Sequence, residues 1–306
     1  MKTLWRGNAN AWECDELNHL NVRFYLAKLD EALGVFCEDI GMHGAYAPGA
    51  TSYLKPRAIT VRFLAEARPG TPLEIRAGVL DIGSTSVTLA VVMNNCAQDI
   101  PSASYVIELD HVSPRSGKVF PWAERMLEQL HAMKVQLPDI CKTRSVDDHD
   151  PARFSRQQAE ANGMAFVSRG LILNHQTNAH AEMRLEFAFG KISEGVIHFI
   201  TAFPGLAEAY RSEGPLEVSS AVLEAKLNFH HFPRAGTGYT IHSGVSYADE
   251  KVRNLVHWVT DSNTGAPLWS MQAVTCAMDL KARRLKRLEG ADLEHARSIV
   301  NPDLRA

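Results

Sequence analysis

A carboxylate, an imidazole and an amide stand together in Asp15-Glu16-Leu17-Asn18-His19-Leu20-Asn21, immediately before an apolar helical stretch. The start of a helix carries unpaired backbone N–H groups and a partial positive charge, so it polarises a carbonyl laid against it. A nearby carboxylate then serves as nucleophile or as general base for water. These residue types at this spacing point to acyl transfer, with Asp15 as base or nucleophile and His19 orienting Asp15 or the water. Asn21 either caps the helix or binds substrate. Taken alone, Asp15 reads first as a surface or turn carboxylate, and its context is what favours chemistry.

The elements that must hold this turn follow from periodicity. Leu4 to Trp12 reads as a strand entering it. Val22, Tyr25, Leu26, Leu29, Ala32, Leu33, Phe36 and Ile40 recur at helical spacing, with Gly41 suited to the position just past the end. The apolar surface of this helix exceeds one narrow stripe, so something wraps it. Strand-like runs Ile59–Leu64, Leu73–Ala77, Val87–Val92 and Tyr105–Leu109 follow, separated by turn residues such as Pro69-Gly70 and Gly83-Ser84. One long helix and then antiparallel strands define an α+β unit. Tyr25, one turn past Asn21, is a pocket wall or a core aromatic; Ser52 and Tyr53, before the second strand, are candidates for substrate contact.

The second half repeats this order. His180-Ala181-Glu182-Met183-Arg184 matches His19 to Arg23 at an offset of 161, which sets Gln176 against Asp15 and Glu182 against Asn21. Leu227, Phe229, Gly236, Thr237 and Ile241 match Val61, Phe63, Gly70, Thr71 and Ile75 at 166, and Asp279 matches Asp110 at 169. A period this long marks a duplicated domain rather than a solenoid. Gln is no base at neutral pH, so one competent site is expected at Asp15, with His180 and Glu182 lending walls or substrate contacts. A second site built on Glu182 is the alternative.

With 45% hydrophobic and 22% charged residues in 306, the chain suits two domains with their own cores. Residues 1–133 form the first, 134–163 a linker with a short helix, 164–290 the second, and 291–306 a tail or helix. A short helix from near Pro121 to His131, and another over Arg153 to Ala161, flank the polar stretch Asp147-Asp148-His149-Asp150-Pro151. A formal charge of −3 gives no basic face for nucleic acid. The basic run Arg283-Arg284-Leu285-Lys286-Arg287 reads as a solvated face, or as a contact for anionic phosphates. Without a signal-like N-terminus or a spanning apolar run, the expected location is the cytoplasm, with no membrane partner. Five cysteines without CxxC spacing, and His175, His180 and His230-His231 without suitable ligand partners, give no reason to expect a metal.

The pattern D-x-x-G-H-x-N opening a long helix resembles the hotdog-fold acyl-CoA thioesterases of the 4-hydroxybenzoyl-CoA thioesterase type. It stands here as Asp15 to Asn21, with Asn18 where that family usually has Gly, and Asn tolerates a left-handed backbone best among the other residues. The resemblance covers most of both halves and implies two tandem hotdog domains, each a long helix wrapped by a curved antiparallel sheet. It also implies hydrolysis of an acyl-CoA substrate, with no cofactor beyond the CoA that the substrate brings. Arg57, Arg62, Arg68 and Arg115 are unranked candidates for its phosphates. Hydratase or dehydratase chemistry and a non-catalytic CoA-binding or assembly role are the rival readings. A double hotdog satisfies its own pairing, so further assembly into a homo-oligomer stays open.

Overall fold

The computed structural model describes residues 1–15, 17–146, 153–199 and 217–306. In chain order, β1 (Lys2–Asn8) leads to α1 (Val22–Asp39), then β2 (Tyr53–Phe63), β3 (Pro72–Ile82), β4 (Ser86–Asn95), β5 (Ile100–Val112) and α2 (Glu124–Ala132). After α3 (Arg156–Ala161) come β6 (Ala165–Leu171), α4 (Leu185–Val196), β7 (Val218–Phe229), β8 (Gly238–Ala248), β9 (Arg253–Asp261), β10 (Pro267–Asp279), β11 (Arg284–Lys286) and α5 (Gly290–Ser298). Neighbours run β1-β3-β4-β5-β2 in the first copy and β6-β8-β9-β10-β7 in the second, with β11 beside β10. Every strand pair within each copy is antiparallel.

Alternation along the strands turns Leu73, Ile75, Ala77 and Val79, and Val87, Leu89, Val91 and Met93, into a buried face. On α1, Leu26, Leu29, Leu33 and Phe36 are each 0–1% exposed, and burying each such side chain contributes roughly 1.5–3 kcal/mol. The Tyr25 ring meets Phe63 edge-on at 5.2 Å, and the Tyr105 hydroxyl donates to the Tyr25 carbonyl at 3.4 Å. Tyr25 is thus a core aromatic. Pro56 sits in β2 next to a bulge, where its missing N–H is tolerated.

The strand entering the first turn is shorter than expected. It ends at Asn8, and Ala11–Glu13 form a 3-10 turn because the Glu13 carboxylate reaches back to the Asn10 N–H at 3.0 Å. Trp12 is left 78% exposed. Likewise α2 begins at Glu124, since the Trp122 indole is anchored to the Gly83 carbonyl at 2.9 Å in extended chain before the helix.

From β2 onward the copies superpose at one constant offset. Val61 pairs with Tyr105 and Leu227 with Met271; Val91 pairs with Tyr105 and His257 with Met271. All these positions differ by 166. The β2 bulge between Pro56 and Ala58 recurs opposite Val274 and Thr275, where β7 steps from Val222 to Glu224. Asp110 therefore corresponds to Cys276; its match to Asp279 was a coincidence of residue type. The same offset carries α2 onto α5, and the Val79–Lys134 bridge onto Val245–Val300, so the tail repeats the start of the linker.

Those segments cover the outer sheet faces. In the first copy, Cys141 packs on Ala90 and Val92, while Arg62 and Ser104 both donate to the Ile140 carbonyl at 2.7 Å. In the second, Phe154, Ala159 and Met164 join Leu304 over Val256 and Trp258. The acidic stretch Asp147 to Pro151 lies outside the described residues.

By contacts the chain divides into two compact units, Met1–Thr143 with Leu173–Gly190, and Arg144–Ile172 with Lys191–Ala306. The turn and first helical residues of the second copy thus belong to the first unit. Among the described residues no helix is long and apolar enough to cross a membrane.

Candidate active site

Asp15 is fixed by its own turn. Its Oδ1 accepts the Leu17 N–H at 3.0 Å, its N–H donates to the His19 carbonyl at 3.0 Å, and its Oδ2 lies 3.3 Å from His19 Nδ1. The loop closes through Asn18, whose φ of 60° is the left-handed conformation that Asn tolerates. Both side chains keep some exposure, 15% for Asp15 and 23% for His19, so the pair is ordered yet open to a small reactant. Asn21 caps α1, its side chain accepting from the Arg23 N–H at 3.0 Å. The Phe24 N–H donates to the Asn21 carbonyl at 2.9 Å. Two first-turn donors of α1 are therefore already engaged.

The second turn corrects the expected equivalence. Asn178 N–H donates to the Glu182 carbonyl as Asp15 N–H does to His19, and Arg184 N–H donates to Gln176 as Asn21 N–H does to Glu13. The bridge Thr177–Met183 repeats Cys14–Leu20, and Ala181 at φ 59° repeats Asn18. This register gives an offset of 163. Asp15 thus corresponds to Asn178, His19 to Glu182, Asn21 to Arg184, and Gln176 to Glu13; His180 takes the place of Leu17. The offset of 161 had rewarded the shared letters His and Arg, whereas backbone hydrogen bonds decide which atoms share a place. An amide still replaces the carboxylate of the first copy, since Asn178 Oδ1 accepts the His180 N–H at 2.9 Å just as Asp15 accepts Leu17.

Tyr53, His180 and Glu182 do meet, within the first unit. Glu182 is 8% exposed and accepts from the Tyr53 hydroxyl at 2.7 Å and from Lys55 Nζ at 2.6 Å. The His180 ring lies 4.2 Å from that of Tyr53, and its Nε2 is 2.8 Å from the Ala45 carbonyl. Glu182 is thereby a tethered carboxylate with both oxygens engaged. Ser52, 8% exposed, immediately precedes this cluster.

Asp30, midway along α1, accepts from the Tyr46 hydroxyl at 3.1 Å. Burial pushes its carboxyl up to about 6, against the Tyr46 and Leu185 hydrogen bonds that favour the charged form. Tyr46 keeps 42% of its surface, yet burial raises its phenol well above the ordinary range. At the start of α4 the buried Glu186 binds Arg23 and Arg184, both at 2.8 Å, with the Arg23 guanidinium 4.3 Å from the Phe187 ring.

Sequence reasoning missed Asp30, Tyr46, Lys55, Glu13 and Lys28. Only Glu13 left a local signal, the Asn10-x-x-Glu13 capping spacing; the others are joined by contacts distant in the chain. Arg62 is 7% exposed and bound to main-chain carbonyls, which removes it from the phosphate candidates. Arg57 is half exposed but paired with Glu108 and Asp110.

The model of the thioesterase-like superfamily matches residues 9–130 and again 173–296. Among solved structures, the 12:0-ACP thioesterase from Umbellularia californica is similar at a TM-score of 0.66 and 9% identity, covering 89% of this chain and 92% of that one. An acyl-ACP thioesterase from Bacteroides thetaiotaomicron VPI-5482 is similar at 0.64 and 8% identity, covering 89% and 96%. At such identities the likeness is one of fold, the tandem hotdog. No curated protein gives a significant sequence match.

Proposed function

The chain belongs to the thioesterase-like superfamily and is a thioester hydrolase; within that activity we propose that it cleaves acyl-CoA at Asp15. A thioester carbonyl is poorly stabilised by its sulfur and its thiolate leaves readily, so one carboxylate beside a polarising dipole suffices. Asp15 attacks the carbonyl and expels the thiolate, leaving a mixed anhydride that water then hydrolyses to the free acid and the Asp15 carboxylate, or it draws a proton from a water that attacks the carbonyl and expels the thiolate directly. His19, 3.3 Å away, orients that carboxylate, and the start of α1 faces the developing oxyanion. Tyr53, His180 and Glu182, with Ser52, serve as substrate contacts around the second turn. The observation that carries this reading is the hydrogen-bonded Asp15–His19 turn at a helix start, which the second copy keeps in backbone but not in side chains. CoA is part of the substrate rather than a cofactor. The two similar structures are named for acyl-ACP, whose acyl group hangs on the same pantetheine thioester, so carrier-bound substrates form a second arm of the test.

Free thiol released from a panel of acyl-CoA and acyl-ACP substrates is the measurement. Asp15→Asn is expected to cut turnover by about 10²–10⁴ with CoA binding retained. Hydration of an enoyl thioester without thiol release, or an Asp15→Asn variant as fast as the parent, overturns the reading.

A further inference from the structure

Glu13 ties the chain on both sides of the Asp15 turn to α1. Its Oε2 accepts from the Asn10 N–H at 3.0 Å, from Asn10 Nδ2 at 3.2 Å and from Lys28 Nζ at 2.7 Å, while its carbonyl accepts the Asn21 N–H at 3.0 Å. Lys28 is 5% exposed, on α1, with its ammonium 5.1 Å from the Trp5 ring. A buried ion pair is a weak source of stability, because desolvation offsets most of the attraction. The second copy also shows that the turn does not need the charge. There Gln176 replaces Glu13, its amide oxygen still accepts the Leu173 N–H at 3.0 Å, and its carbonyl still accepts the Arg184 N–H at 2.9 Å. Lys191, the counterpart of Lys28, bonds Glu194 on its own helix at 3.3 Å. The copy that lost the carboxylate of Asp15 has therefore lost the carboxylate of Glu13 as well and kept the fold.

We propose that Glu13 and Lys28 are a positioning pair for Asp15, holding the turn to α1 with a charge that sums to zero, so that neither partner alone biases the reacting carboxylate. The inference rests on the Asp15 reading above. The charged and titratable groups that bond Asp15, or act with it on the neighbouring Cys14 and Tyr25, include His19 on its own turn, Glu13 before it, Lys28 on α1 and Glu66 after β2. Deleting one member of the pair changes the charge of that set by one unit, and deleting both leaves it unchanged.

The test is the pH profile of kcat/KM on an acyl-CoA that the parent hydrolyses. Lys28→Met leaves the Glu13 carboxylate uncompensated and is expected to move the acid limb up by about half a unit or more; Glu13→Gln leaves the ammonium uncompensated and moves it down. The double variant returns the limb close to the parent, and Lys28→Arg holds it there. In the single variants kcat falls while KM changes little. Single variants that fold by circular dichroism but shift the limb in the same direction, or not at all, overturn the pair's role while Asp15→Asn remains inactive. An active Asp15→Asn removes the Asp15 reading itself, and the inference with it.

Discussion

Asp15 and His19 are four residues apart and 3.3 Å apart in space because one left-handed residue, Asn18, folds the chain between them. That proximity was legible from residue types alone, since a short acid-to-His spacing at a helix start admits few conformations. The interior of the second copy was not legible. His257 and Ser243 stand where the first copy has Val91 and Ala77, and Ser243 Oγ lies 2.7 Å from His257 Nδ1. Burial presses the imidazole down to about 3, so protonation favours the unfolded chain as pH falls from about 6.5 toward that value. The stability lost is up to about 1.4 kcal/mol per pH unit. His111, His230 and His242 are shifted the same way by burial and add to the slope. Introducing Ser243→Ala with His257→Val should narrow the gap between melting temperatures at pH 7 and pH 4.5; an unchanged gap would show that His257 carries none of the acid sensitivity.

At the scale of elements, both turns share one backbone and differ in how well their residues suit it. Asn18 relieves its left-handed position with a short polar side chain, whereas Ala181 holds φ 59° with none. A non-glycine residue there costs roughly 1–2 kcal/mol, partly offset by the freedom that glycine gains on unfolding. Ala181→Gly is therefore expected to stabilise the protein by about 0.5–1 kcal/mol in denaturant titrations, with hydrolysis unaffected, and a loss of stability would contradict the strain assigned to this turn. The helix and strand assignments were readable from periodicity, because α1 and the first sheet obey periods of 3.6 and 2. The turn register was not, because matching letters between copies says nothing about which N–H meets which carbonyl.

For the whole molecule, the repeat is more complete than the sequence suggested. One offset of 163 through the turn and one of 166 from β2 onward account for both copies, including α5 and the segment beyond it. That segment is part of a core: Leu304 is 3% exposed among Phe154, Met164, Val256 and Trp258, and the Trp258 indole donates to the Arg305 carbonyl at 2.7 Å. Leu304→Ala should cost about 2–4 kcal/mol, lowering the melting temperature by several degrees, while a surface tail would show no change. The sequence by itself determined the α+β class, the duplication and the Asp15–His19 turn, since each is written in local periodicity or short spacing. Only the tertiary structure decided the register of the second turn, the tethering of Glu182 by Tyr53 and Lys55, the burial that raises Asp30, and the Glu13–Lys28 pair. The first depends on which N–H meets which carbonyl and the others on side chains brought together from distant parts of the chain, and distance along a sequence carries no record of distance in space.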